Sequence, residues 1–442
     1  MSKKIRPQLI PLFAIFALLL AIVALPQVIA QRTAPAVTPN TTKSVAIDVA
    51  TEGVLKETSE IRQLSILHPV KSGAQSRADI ERMVIKNLDE ETTPEEMRAS
   101  ELTLKKLGLV PLDFSYRPFI ISLLSEQVAG YYDPKAKQFY LADWIPIEGQ
   151  LPVMSHELTH ALQDQHFNLS RFQDWPNGDG DAELAAHCLV EGDATLVMMQ
   201  YILRKPERMR EFMTSMGGDG AAANEKIESA PRVLRETLLF PYDQGLQFVT
   251  KLYARDGWKT VSAAFADLPK STEQILHSEK YFAHETPIRV DIPDVRTILG
   301  KGWKRVDYDV NGEWGYYLIL DEYLKSSDES ERAAAGWGGD RYAVYEGPKG
   351  EIMMAQMTTW DTVQDANEFY ASYVERSKRR YDPALPVEIA ASIQTPTRQM
   401  TMETNEGRVL ISQVGSRILI LEGVPNRVDM PTLRRAILRS SK

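Results

Sequence analysis

Apolar residues recur at helical spacing through most of the chain, and at strand spacing in a few short stretches. Ile80, Met83, Val84 and Leu88 share one face of a helix that Ser76 is suited to cap. Thr93-Pro94-Glu95-Glu96 opens a second helix with a cap, a first-turn proline and first-turn acids, and Gly108 with Pro111 closes it. Leu151, Val153, Met154, Leu158, Ala161 and Leu162 form an apolar stripe on a third. A long helix is expected from Ala182 to about Leu203, where Lys205-Pro206 ends it, and another from Ser229 to Tyr253, broken near Pro241. Ser271-Thr272-Glu273-Gln274 reads as a capping box opening a helix that carries His277. The segments 128–132 and 138–142 alternate around Asp133-Pro134-Lys135-Ala136, which predicts a β-hairpin. Its edge strand, beside the helix that follows, either pairs with an extended peptide or belongs to a purely structural hairpin.

The pattern changes near Gly336-Trp337-Gly338-Gly339. Beyond it Arg341–Glu346 and Ile352–Thr359 read as strands, and a helix shows Ala366, Phe369, Tyr370, Tyr373 and Val374 on one face. Val409–Val414 and Ile418–Val424 are strands joined by Gly415-Ser416, and a short helix follows. The chain thus divides into residues 47–335, mainly helical with one hairpin, and a smaller α+β domain at 336–442. The fold class is α+β. Residues 31–46, rich in Pro, Thr and Ala without apolar period, read as a flexible linker.

Ahead of them Lys3, Lys4 and Arg6 precede an apolar run, Leu9 to Leu25, and then Val28-Ile29-Ala30. A basic start, an apolar middle and a small-residue end make residues 1–30 a signal peptide cut after Ala30. The alternative is an uncleaved membrane tether through residues 9–25, a run slightly short of the ~20 residues that span a bilayer. Either way the body is expected outside the cytoplasm, as a secreted, periplasmic or membrane-tethered protein. A net charge of −9 argues against nucleic acid as partner. The single cysteine, Cys188, excludes an intrachain disulfide and reads as a small core residue.

Four of the seven histidines, at 156, 160, 166 and 187, lie close together in sequence. His156-Glu157-Leu158-Thr159-His160 puts two imidazoles at i and i+4, on one face of the striped helix, with a carboxylate between them. Two nitrogen donors and a neighbouring carboxylate are the parts of a catalytic Zn2+ site: the imidazoles hold the ion and Glu157 is the general base. Candidates for the third ligand are His166, Asp179, Asp181, His187 and Glu191. His166 stands where H-E-x-x-H-x-x-G-x-x-H needs a histidine, but Gln163 occupies the position of the helix-breaking glycine. If the helix continues, residue 166 lies about 240° round from 160 and faces away. Glu191 fits better: it shares a face with Glu183 and His187 at spacings of four, among apolar neighbours and beside Gly192 and Ala194, which allow a close helix approach. A structural zinc site usually closes with four protein ligands and favours Cys, so three non-thiol ligands favour catalysis.

His156-Glu157-x-x-His160 with Leu189-Val190-Glu191-Gly192-Asp193-Ala194 downstream resembles the gluzincin clan of zinc metallopeptidases. The resemblance covers about residues 125–205. The longer strings His156–Phe167 and Ser271–His277 are similar to a group of secreted bacterial proteins. The resemblance implies a zincin-like metallopeptidase domain, zinc bound by His156, His160 and Glu191, Glu157 as catalytic base, and a peptide or protein as substrate. The chain lacks a clan signature for the group that stabilises the oxyanion, and His277 or Tyr242 are candidates. The competing expectation is a non-enzymatic cell-envelope binding or scaffolding protein with a structural or vestigial zinc site.

Overall fold

The computed structural model describes residues 40–440 apart from 174, 176–177, 217–226, 382–384 and 390–396. The expected signal peptide, with the run at 9–25, lies outside the described residues. Among the described residues no helix is long and apolar enough to cross a membrane.

The chain is α+β, with many helices and two sheets. The helix α1 (Asn40–Arg62) starts seven residues ahead of Ile47, inside the stretch expected to be irregular. Pro39 is the last proline of that stretch, so nothing after it opposes helix. Farther along, Ile47, Val54, Leu55 and Ile61 are buried and hold α1 to the body. Next come β1 (Lys71–Gln75), α2 (Arg77–Glu91), α3 (Pro94–Leu107) and α4 (Tyr116–Gln127). Ser76 and Thr93 cap α2 and α3 through full capping boxes, and Gly108 ends α3 at φ +73°, a left-handed conformation that costs glycine least. β2 (Gly130–Asp133) and β3 (Gln138–Ala142) form the expected hairpin. β1 adds to it in parallel, on β3, which leaves β2 at the edge.

The helical body continues with α5 (Ile147–Phe167), a short turn α6 (Ser170–Gln173), α7 (Gly180–Leu203), α8 (Pro206–Met216) and α9 (Arg232–Ala264). The interruption of α9 lies at Asp256 and Gly257 (φ +58°) and not at Pro241. Pro241 gives up one backbone donor and is packed within the helix, whereas Gly257 takes a conformation no helix contains. Ser271 caps α10 (Thr272–Leu276) by accepting from Gln274 N–H. The other half of the expected box is absent, because Gln274 accepts instead from Lys270 N–H. His277 follows α10 as its C-cap. Short helices α11 (Ser278–Phe282) and α12 (Arg296–Leu299) lead to the second sheet.

That sheet has seven antiparallel strands in the order β4-β5-β6-β10-β9-β8-β7. They are β4 (Lys304–Asp309), β5 (Trp337–Glu346), β6 (Ile352–Trp360), β7 (Leu385–Ile389), β8 (Thr397–Thr404), β9 (Gly407–Val414) and β10 (Arg417–Val424). Its first strand therefore lies ahead of Gly336, where the composition shifts. Between β4 and β5 run α13 (Gly312–Leu324) and α14 (Ser327–Ala334); α15 (Val363–Arg380) follows β6, and α16 (Met430–Ser440) ends the fold. Period-two alternation sends Tyr342, Val344, Ile418 and Ile420 to a core with Tyr316, Phe369 and the helices α2–α4. Ala343, Tyr345, Leu419 and Leu421 face a second core closed by Leu433 and Ile437 of α16. A sheet covered on both faces reads as a continuous apolar run, as these strands do. A separate core of α1, α5, α7 and α9, including Met154, Leu158, Leu162, Leu189 and Phe248, surrounds the histidine pair.

Candidate metal centre

Helix α5 is buried on nearly every side, and from Met154 to Asp164 its polar residues lie inside along with its apolar ones. Met154, Leu158 and Leu162 fix the helix in the core. Ser155, His156, Glu157, Thr159, His160 and Gln163 must then find partners in the protein, because an unpartnered buried polar group costs about 1–3 kcal/mol. Helix α7 crosses α9 at two glycines. A Cβ on Gly192 would stand 2.1 Å from the Gly245 carbonyl oxygen, and one on Gly245 would stand 2.4 Å from that of Cys188. Only glycine admits such an approach, and it brings Glu191, next to Gly192, and Tyr242, a turn before Gly245, to the histidines.

His156 Nε2 lies 3.1 Å from Glu191 Oε2 and 3.1 Å from His160 Nε2. His160 Nε2 lies 3.5 Å from Glu191 Oε1. All three side chains are buried. Tetrahedral coordination with bonds of about 2.0–2.1 Å sets neighbouring donors about 3.3 Å apart, so the observed separations match one zinc shell. The charge state fits as well. Burial opposes the ionised forms, yet the Glu191 carboxylate, with Glu157, carries His160 up to about 9, and the two imidazoles hold Glu191 below the usual carboxylate range. Burial pushes His156 down. The group therefore attracts a positive charge.

Glu157 lies beside this group. Its Oε2 accepts the backbone N–H of Tyr132 at 2.9 Å, from the edge strand β2. Its Oε1 is buried and has no hydrogen-bond partner among the described residues. Burial raises this carboxyl to about 8, with Glu191 adding to the rise while His160 and the Tyr132 N–H oppose it. A carboxyl titrating near neutrality with one open oxygen is equipped to accept and return a proton. Tyr242 stands over the site with its ring centroid 6.0 Å from that of His156. Burial and the neighbouring Glu191 and Glu157 hold its phenol well above the usual range, and it hydrogen-bonds to Glu191 as a neutral donor.

The other candidates are placed elsewhere. His166 donates to the Ser65 carbonyl at 2.8 Å, away from the site, as an uninterrupted α5 requires. Asp179 caps α7 through Ala182 N–H, and Asp181 accepts from the Thr272 N–H and hydroxyl. His187 packs edge-on against Phe172, and burial lowers it to about 3. His277 pairs with Glu313 at 2.8 Å. Gln163 and Asp193, which the sequence pattern did not single out, both approach the site. Gln163 Oε1 meets His160 Nδ1 at 2.8 Å, and Gln163 Nε2 donates to Asp193 Oδ2 at 2.9 Å. Gln163 sits one turn after His160, and that spacing was the available signal.

Residues 297–434 match a family described as a domain of unknown function (DUF8575). No curated protein and no solved structure matches the chain. The matched span takes in the seven-stranded sheet and ends in α16, and α5 and α7 lie outside it.

Proposed function

We propose that this chain is an exported zinc-dependent metallopeptidase with a zincin-like, gluzincin-type site. The observation that carries the reading is the convergence of His156, His160 and Glu191 at 3.1–3.5 Å, all buried, with an open Glu157 oxygen beside them. Zn2+ bound to these three residues supplies the Lewis acidity that activates water and polarises a peptide carbonyl. Glu157 accepts the proton of the attacking water and returns it to the leaving amine, a role its rise to about 8 supports. The Tyr132 N–H holds the second Glu157 oxygen and so aims the first. Tyr242, a neutral buried phenol, is the donor suited to developing negative charge on the carbonyl oxygen. The edge strand β2, one backbone bond from the base, suits an extended peptide or protein substrate. A closed structural zinc site needs a fourth protein donor, and the donors within 4.8 Å of one another here are His156, His160 and Glu191 among the described residues. The leader at residues 1–30 supports export, with residues 9–25 as tether if it is retained.

The test is elemental analysis of the full chain with a peptide-library cleavage assay, beside Glu157→Gln and Glu191→Ala. We expect about one zinc in wild type and in Glu157→Gln, much less in Glu191→Ala, and cleavage by wild type alone. Loss of the base should slow turnover by about 10²–10⁴-fold. Absence of zinc from wild type, or full activity in Glu157→Gln, would overturn the reading.

A further inference from the structure

Behind the metal-facing edge of His160 runs a buried chain of polar side chains that reaches the N-terminal helix. His160 Nδ1 meets Gln163 Oε1 at 2.8 Å. Gln163 Nε2 donates to the Val190 carbonyl at 3.0 Å and to Asp193 Oδ2 at 2.9 Å. Asp193 Oδ1 accepts from Arg62 Nε at 2.6 Å, and both side chains of that pair are wholly buried. Arg62 also donates to Ser262 Oγ at 3.0 Å, and its guanidinium lies over the Trp258 ring at 4.7 Å. The links come from α1, α5, α7 and α9.

The chemistry of each link allows one orientation. A carbonyl and a carboxylate only accept, so the atom of Gln163 that faces Val190 and Asp193 is its nitrogen. Its oxygen therefore faces His160, and His160 Nδ1 carries the hydrogen. That leaves the Nε2 lone pair of the neutral imidazole pointing at His156 and Glu191, which is the tautomer a metal ligand requires. A buried Arg–Asp pair adds little net stability compared with apolar residues of the same volume, so stability does not account for it. Its effect is to hold Asp193 aimed at the Gln163 amide.

We propose that Arg62, Asp193 and Gln163 are positioning residues that fix the His160 tautomer, so that α1 belongs to the metal centre. The inference rests on the zinc reading given above. The experiment is zinc affinity of the full chain by competition with a chromophoric chelator, for wild type, Gln163→Met and Asp193→Asn. Gln163→Met preserves volume and removes the acceptor. Asp193→Asn is isosteric and removes one of the two acceptors that orient the Gln163 amide, leaving the Val190 carbonyl alone to hold it. Each variant should bind one zinc about 10- to 100-fold more weakly than wild type. In ¹⁵N-imidazole spectra of the zinc-loaded proteins, the slowly exchanging His160 Nδ1 proton of wild type should be lost from both. The thermal midpoint of each metal-free variant checks folding, and should Gln163→Met fail to fold, Asp193→Asn decides alone. One zinc in wild type with unchanged variant affinities sinks the relay and leaves the metallopeptidase reading standing. No zinc in wild type sinks both.

Discussion

A buried carboxylate with an open oxygen costs free energy, and an uncompensated cost inside a core marks a residue selected for chemistry. Glu157 has that character, and Tyr242 beside it is a neutral phenol that hydrogen-bonds to Glu191. If Tyr242 donates to the carbonyl oxygen as charge develops, its hydroxyl matters more to turnover than to binding. Tyr242→Phe keeps the ring against His156 and removes that donor. We expect kcat to fall by about 10²–10³-fold, with zinc content retained and KM changed little, as for loss of one oxyanion donor. Steady-state kinetics on a cleavable peptide would show it. A fall confined to KM would assign Tyr242 to substrate binding, and wild-type kinetics would remove it from the mechanism.

Between elements, the site depends on how closely α7 can lie on α9. Gly192 meets backbone atoms of Gly245, which cannot swing aside as a side chain can. Gly192→Ala must push the helices apart, at a cost of about 1–3 kcal/mol or more for overpacking, and Glu191 moves with the displaced helix. The thermal midpoint and zinc affinity should therefore fall together, measured by calorimetry and chelator competition. A stable variant with unchanged affinity would show that the crossing does not set the ligand geometry. The sequence made this much of the site legible because i, i+4 spacing and a small residue beside a glutamate are local signals. His156, Glu157, His160 and Glu191 were read in that way, and the continuous α5 turns His166 outward as its angle implied. Of the relay only Gln163, one turn after His160, carried a local signal, and Arg62 and Asp193 are ordinary polar residues until three helices meet. Strands were lost for a related reason. Lys71–Gln75 carries little alternation, Lys304–Asp309 alternates but buries Asp307 and Asp309 more than Val306 and Tyr308, and Thr397–Thr404 mixes Met with polar residues, so it is sheet pairing and not propensity that makes them strands.

At the scale of the molecule, buried acids line the boundary between the sheet that carries the family match and the helices packed beside it. Asp309 of β4 accepts the Gly180 N–H at the start of α7, the helix of Glu191. Asp181 in the first turn of α7 accepts from Thr272, and Asp340 of β5 accepts from Asn311 and Gly312 N–H. On the same sheet Asp307 accepts the Thr103 hydroxyl of α3 at 2.6 Å and the Tyr342 hydroxyl at 3.2 Å. Burial lifts Asp307 and Asp340 to about 6, against the hydrogen bonds that favour their ionised forms, and lifts Asp181 and Asp309 as well. The sign follows from the raised values. A carboxyl that titrates near 3.8 unfolded and near 6 folded binds its proton more tightly in the folded state. Its contribution is full below about pH 4 and is lost as pH rises through about 6, with a slope of at most about 1.4 kcal/mol per pH unit. Asp307→Asn keeps an acceptor for Thr103 and has no proton to lose. Its stability relative to wild type should therefore improve steadily from pH 4 to 6 and stay level above pH 7, read from urea unfolding at each pH. Parallel curves for the two proteins across that window would mean that Asp307 ionises without penalty, and that the contact between α3 and the sheet is not held by a neutral acid.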